Sequence, residues 1–297
     1  MLRFDTASVS IQGKRDYQED AVICDFIEGS PTGFAVVADG MGGHAAGDRA
    51  SQIAIDTAFQ DLRCLRTSDA SDEPPHRQLR SMLDRANGKI KDHSQNDPAT
   101  VGMGTTFVAT LINDDKLHWI SVGDSPLYLY RSGVLQQINQ DHSLAPQIDL
   151  LVASGLMSPE DGRNHPDRSV LTSVLVGDEI PKVDCPSDPI GLMSGDILIV
   201  ASDGLQTLDH ADIEATLKDC CNLPSSDIAS RLLVELNAFA DPEQDNASFV
   251  TIRVMPKADQ SFAKKARRIH VREAPPKIAA FFRSHFHFSP KTKPSTR

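Results

Sequence analysis

An apolar run that closes on a carboxylate constrains this chain more than any other feature. Val36-Val37-Ala38 leads into Asp39-Gly40-Met41-Gly42-Gly43-His44, so a stretch composed as a buried strand ends in an acid, glycines and a histidine. An ionised carboxylate there is costly unless hydrogen bonds, a cation or a metal compensates it. Glycines let the backbone approach a small charged ligand and turn a carbonyl oxygen toward it. The pattern recurs: Ile197-Leu198-Ile199-Val200-Ala201 runs into Ser202-Asp203-Gly204, and Asp245-Asn246 stands just before the apolar run from Phe249 to Val254. Three acids at three strand ends, far apart in sequence, predict one oxygen-rich metal site assembled by folding.

The 297 residues leave ample chain for a full core, in one large domain or two small ones. A hydrophobic content of 40% fits an ordinary globular protein. Met1-Leu2-Arg3-Phe4-Asp5 is no apolar signal region and no run is long enough to span a bilayer, so a cytoplasmic location is expected. Cys24, Cys64, Cys185, Cys220 and Cys221 lack zinc-type spacing and read as reduced thiols. Metal chemistry therefore falls to the carboxylates. Charge is split along the chain. Residues 257–297 hold eleven Lys or Arg against Asp259 and Glu273, a net of +9, which against the whole-chain −11 leaves −20 for residues 1–256. An acidic body argues against nucleic acid as the partner, since phosphate backbones need surface Lys and Arg.

Alternation predicts strands over 4–12 and 20–28, joined by the polar turn Gly13-Lys14-Arg15-Asp16 and followed by the Asp39 strand. Helical spacing runs from Ala45 to Leu65, with Ala50, Ile53, Ala54, Thr57, Ala58 and Leu62 on one face. Residues 67–78 read as an exposed connector and Leu79–Ser94 as a second helix. Short strands are expected at 105–111, 117–122 and 127–130, with a turn at Arg131-Ser132-Gly133. Helices are expected at 144–154, 212–217 and 226–240. Segregated runs of strands and helices favour α+β layers over alternating βαβ units.

In order along the chain stand Arg15-Asp16-Tyr17-Gln18-Glu19-Asp20-Ala21, Asp39-Gly40-Met41-Gly42-Gly43-His44, Gly102-Met103-Gly104-Thr105-Thr106, Gly123-Asp124-Ser125, Asp141-His142-Ser143, Ser202-Asp203-Gly204-Leu205 and Asp245-Asn246. Each alone is weak, because Asp-Gly is a common turn. Together, over residues 4–255, they resemble the metal-dependent Ser/Thr protein phosphatases of the PPM type, the protein phosphatase 2C family, in its bacterial branch. The resemblance implies a four-layer αββα sandwich, a central antiparallel β-sandwich flanked by helices, with two Mn²⁺ or Mg²⁺ ions at one end and a third, weaker one nearby. It implies that Asp39 bridges the two ions, that the Gly40 carbonyl ligates one, and that Asp203 and Asp245 hold the other. Glu19 and Asp20 would act through bound waters, and Asp124 would hold the third ion. Hard divalent cations do take oxygen ligands, and a metal pair can bring a bridging water toward neutral pKa and clamp an in-line phosphoryl displacement. Arg15 would hold the phosphate bidentately. His44 would either protonate the leaving oxygen or support the site; in the eukaryotic form the corresponding His follows Asp-Gly directly, whereas Met-Gly-Gly intervenes here. Two departures bear on the third ion. Thr207 stands where many relatives carry Asp or Asn, and Pro126 where Arg commonly follows Gly-Asp-Ser.

The plainer reading of each aspartate is a turn or capping residue, and only their joint occurrence favours metal. Thr105 and Thr106 read as strand residues. Asp141-His142 reads as loop polarity or as support near the site. Residues 143–180 correspond to the family's flap, and His165-Pro166-Asp167-Arg168 within it reads as substrate-facing. The implied function is hydrolysis of phosphoserine and phosphothreonine on proteins, opposing a bacterial Ser/Thr kinase, by a cytoplasmic monomer. A catalytically weak phosphoprotein-binding module and a hydrolase of small phosphate esters are the alternatives. Residues 1–256 would form the catalytic domain. The tail, 257–297, combines Lys264-Lys265-Ala266-Arg267-Arg268 with Phe281-Phe282 and Phe286-His287-Phe288. It would be a membrane-surface or partner contact, or a solvated tail attracted to anionic surfaces.

Overall fold

The core of the molecule is two antiparallel sheets whose strands end at a common edge. The computed structural model describes residues 2–28, 30–42, 45–67 and 73–256; the expectations for His44 and for the tail lie outside them. One sheet has the order β1 (Leu2–Ile11), β11 (Ala247–Pro256), β10 (Ile197–Ala201), β7 (Leu127–Arg131), β8 (Val134–Gln137). The other runs β2 (Asp20–Phe26), β3 (Thr32–Met41), β5 (Phe107–Asn113), β6 (Lys116–Val122), β9 (Ile190–Gly191), with the two-residue β4 (Gly104–Thr105) beside the end of β3. Every pairing is antiparallel. Met1–Lys257 form one compact unit.

Strand periodicity sorts the apolar residues into layers. Along β3, Phe34, Val36 and Ala38 face a helical layer, whereas Ala35 and Val37 face the opposite sheet, and all five are fully buried. Helices α1 (Ala45–Thr67) and α2 (Pro75–Asn96) cover the β3 side. Helices α5 (His210–Cys220) and α6 (Ser225–Ala238) cover β10 and β11 through Ile213, Leu217, Leu232 and Phe249. The order helix, sheet, sheet, helix is the expected αββα sandwich. On α1 the buried stripe is Ala46, Ala50, Ala54, Ala58 and Leu62 at four-residue spacing, and its four alanines let the helix lie close to its sheet. The approach is tightest at the site end, where a Cβ on Gly40 would collide with the Gly47 carbonyl.

Several elements differ from the sequence expectation for local reasons. Helix α2 starts at Pro75, earlier than expected, because proline suits a first helical turn whose N–H groups lack intrahelical partners. The turn at 131–133 is the tip of a hairpin into β8: Ser132 and Gly133 both have positive φ, as a tight two-residue turn requires. Between α3 (Ala145–Ala153) and β9, the span read as the flap contains α4 (Pro159–Arg163), for which no helix was expected and which is started by Ser158, whose Oγ accepts from the Asp161 N–H.

Phe249 is fully buried where β11 meets the α5–α6 layer. Phe249→Ala is expected to cost ~3–5 kcal/mol of stability, measured as a lower denaturant midpoint with an unchanged slope. A loss under about 1 kcal/mol would show that this layer does not depend on the ring.

Candidate metal and phosphate site

Four strand termini bring the predicted acids to one edge of the sandwich. Asp20 opens β2 and pairs in register with Asp39 near the end of β3, so two carboxylates stand abreast. Asp203 follows β10 and Asp245 precedes β11, the strand paired to β10. Asp39, Asp203 and Asp245 line a cleft of about 300 Å³ with Arg15, Gly40 and Asp124, and Asp20 stands behind it, beside Asp39 in the sheet. Glu19 lies on its wall, its carboxylate against Gly47 at the start of α1. A larger groove of about 570 Å³ between α5 and α6 contains none of the predicted residues.

Burial makes this edge electrostatically costly. Asp20 is pushed up to about 7 by burial, opposed by hydrogen bonds from Ser202 and Ser248 and assisted by Asp203 and Asp245. Asp124 is pushed up to about 7 by burial and then by Asp203 and Asp141. Asp39 stands well above the carboxylate range, through burial and the neighbouring Asp203 and Asp20. Burial also raises Asp203 and Glu19. Ser202 Oγ donates to Asp20 Oδ2 at 2.7 Å, but Asp20 Oδ1 and Glu19 Oε1 are buried without a partner among the described residues. Arg15 Nη2 lies 2.5 Å from Asp245 Oδ2. Among the described residues no three His, Cys, Asp or Glu side chains are already drawn around one point as a metal would hold them. Bare buried acceptors in an all-oxygen cluster are nonetheless the donor set that suits a hard divalent cation and its waters.

Residues 13–154 match the profile of the family described as Protein phosphatase 2C. The serine/threonine phosphatase stp of Listeria monocytogenes is 32% identical over 221 residues, 73% of this chain and 82% of that protein. The chain belongs to the protein phosphatase 2C family. PstP of Mycobacterium tuberculosis is 34% identical over 227 residues, 74% of this chain but 40% of that longer protein. Among solved structures, the catalytic domain of PstP in complex with two manganese ions matches with a TM-score of 0.69 at 28% identity, covering 86% of this chain and all of that one. Stp1 of Staphylococcus aureus matches with a TM-score of 0.67 at 26% identity, covering 84% of this chain and 94% of that one.

In this protein phosphatase 2C chain, residues with no ionisable group hold the acids in place. Asn246, buried, accepts the Glu19 N–H at 2.7 Å and donates to the Gln12 and Tyr17 carbonyls, tying the Arg15 turn to β11. Its role could be read from sequence only as a neighbour of Asp245. Gly13, at φ +63°, lets that turn pass where a Cβ would strike the Asp245 carbonyl. Thr105 and Thr106, read as strand residues, clasp the Asp39 backbone: Thr105 Oγ1 donates to its carbonyl at 2.9 Å, and Thr106 Oγ1 accepts its N–H at 3.0 Å. The flap reaches the cleft through Ser169 and Leu171. Arg168, expected to face substrate, instead forms a bidentate pair with Asp149 on α3 at 2.7 and 3.0 Å. A fixed guanidinium–carboxylate fork is an anchor, which explains why the neighbours rather than Arg168 line the cleft.

Asp20 and Asp124 titrate near 7 in the fold and near 3.8 when unfolded. Their contribution to stability is therefore full below about pH 4 and is lost as pH rises toward 7. Metal-free protein in EDTA is expected to melt at a lower temperature at about pH 8 than at about pH 5.5, and added Mn²⁺ should restore the loss. A melting temperature that stays flat or rises over that interval would refute the crowding.

Proposed function

We propose that this chain is a protein serine/threonine phosphatase using two Mn²⁺ or Mg²⁺ ions to hydrolyse phosphoserine and phosphothreonine, with residues 1–256 as the catalytic domain. The observation that carries this reading is the cleft in which Asp39, Asp203 and Asp245 converge from separate strand ends beside Arg15. The Asp39, Asp203 and Asp245 carboxylates and the Gly40 carbonyl would hold two ions; Asp20 and Glu19 would receive their waters, and Asp124 a third, weaker ion. When bound, such ions make water nucleophilic near neutral pH and neutralise charge on phosphoryl oxygens.

The chain's own residues supply capture and placement. Arg15 is exposed and, among the described residues, paired with Asp245, an ion pair of the class worth ~0–1 kcal/mol, so exchanging that partner for phosphoryl oxygens costs little. Asn246 keeps the Arg15 turn against β11. Thr105 and Thr106 hold the Asp39 backbone while its side chain faces the cleft. Leu171 and Ser169 close the cleft on the flap side and limit water beside the phosphoryl group. His44 would either give the leaving oxygen its proton or support the site. Phosphorylated proteins are the substrates this reading expects, a Ser/Thr kinase among them, for a cytoplasmic monomer whose basic tail, residues 257–297, contacts anionic surfaces.

The test is phosphate release from a phosphothreonyl peptide with and without Mn²⁺. Activity is expected only with the ion and should be silenced reversibly by EDTA. Asp203→Asn is expected to abolish turnover while retaining the melting profile; full activity at millimolar Mn²⁺ would sink the two-ion reading. Arg15→Ala should lower kcat/KM by about one to two decades, the loss of a charged bidentate partner. Calorimetry showing Mn²⁺ affinity collapsing in that variant would instead make Arg15 a structural residue.

A further inference from the structure

His142 is bonded to two segments that meet at the cleft, and the reaction as derived does not use it. It is 1% exposed. Toward one side it exchanges two hydrogen bonds with Gly123, the residue before Asp124: its own N–H donates to the Gly123 carbonyl at 3.0 Å, and its Nδ1 accepts the Gly123 N–H at 3.2 Å. Toward the other side its carbonyl accepts from the Thr172 N–H at 2.7 Å and from Thr172 Oγ1 at 2.8 Å. The next residues extend that second seam: Ser143 bridges Leu171, and the Leu144 N–H donates to the Val170 carbonyl at 3.0 Å. Asp141 Oδ1 accepts the Ser143 N–H at 2.8 Å and fixes the turn between the two seams.

These seams hold opposite walls of one site. Asp124 and Leu171 both line the acidic cleft. The Asp124 turn is otherwise fastened through Ser125, whose Oγ meets Thr106 Oγ1 at 2.7 Å. Gly123 itself has φ +100°, so its conformation owes nothing to a side chain of its own and depends on what grips its backbone. Acceptance at Nδ1 places the proton of the neutral imidazole on Nε2, which is buried and has no partner among the described residues. Among the described residues the ring's hydrogen bonding thus rests on the Gly123 contact. A histidine kept only to fill a core position would not need its ring aimed at the backbone of the Asp124 turn.

The geometry points to His142 as the positioning residue that fastens the Asp124 turn to the return of the flap, so that the weak-ion carboxylate and the flap wall move as one body. The consequence is that substrate contacts on the flap and cation binding at Asp124 are coupled. This rests on Asp124 holding an ion, the reading given under Proposed function.

The experiment compares His142→Leu, which keeps bulk but removes the acceptor, with His142→Asn, whose Oδ1 takes the place of Nδ1. Hydrogen exchange on the metal-free proteins supplies a readout independent of activity. In His142→Leu the amides of residues 121–125 and 168–173 are expected to lose protection together, by about tenfold or more, since a buried N–H is left unpaired. The weakest Mn²⁺ binding event in calorimetry should weaken as well, and kcat/KM should fall more for a phosphothreonyl peptide than for an aryl phosphate. His142→Asn should recover most of each effect. Thr172→Val, which removes only the Oγ1 bond, should loosen the same two segments more mildly and serves if the leucine variant does not fold. Loosening of one segment without the other, uniform loosening of the whole domain, or an asparagine variant no better than leucine would overturn the proposal. Asp124→Asn separates the two readings: an unchanged Mn²⁺ titration in that variant removes the third ion, while the exchange comparison still decides whether His142 joins the segments.

Discussion

Like charge packed into a dry edge is the constraint around which this molecule is organised. Asp20, Asp39, Asp124 and Asp203 are each buried to a degree that resists ionisation, and Asp203, Asp20 and Asp124 all add to the difficulty at Asp39. Nothing in an apolar sandwich requires such an arrangement; hydrophobic residues at the same strand ends would be more stable. A divalent cation bound there, as the proposed function has it, would remove the repulsion, and the free energy of binding the ion and that of folding the edge would then be linked. The rest of the fold answers to that requirement. Gly40 and Gly47 let α1 approach the end of β3 closely, and the register of β2 with β3 puts Asp20 beside Asp39.

Rigidity at the edge comes from neutral groups. Asn246, Thr105, Thr106 and Ser202 direct their hydrogen bonds to the backbone or carboxylates of the acidic residues and their neighbours, and all four are buried beyond nine-tenths. Thr106 and Asn246 also lie against the cleft itself. Such partners leave the net charge unchanged while removing the freedom of the carboxylates to swing apart. Arg15 is built differently. It is more than half exposed, on a turn rather than a strand, and its partner lies on the opposite side of the chain's sequence. Under the proposed function Arg15 would release one oxygen ligand and take another, and such a group is better placed where solvent weakens the first contact.

The flap follows a third logic. Its outer part is pinned by the Arg168–Asp149 fork, and its return is stitched to His142 and Ser143, so only the short stretch carrying Ser169 and Leu171 meets the cleft. Recognition of anything beyond the phosphoryl group therefore depends on how this segment is held. With Thr207 and Pro126 in place of the family's commoner polar residues, the Asp124 side of the cleft has fewer charged supports, which raises the weight carried by backbone bonds such as those to Gly123.

Much of this was legible in the chain as a string of residues. Apolar runs of period two stopping at Asp39 and Asp203, and an acid preceding the run at Asp245, marked strand ends and the acids on them, because alternation and the cost of a buried carboxylate are local properties. The α1 face and the α+β layering followed from spacing in the same way. What the string could not carry was anything set by contact between distant segments. That Asp20 stands opposite Asp39 depends on register. Asn246 as the clasp of the Arg15 turn, Arg168 turned to Asp149 rather than to the cleft, and His142 joining Gly123 to Thr172 each depend on where a side chain of ordinary type finds its partner more than fifteen residues away. A polar residue's composition states only that it must be satisfied; the packed structure alone decides by what.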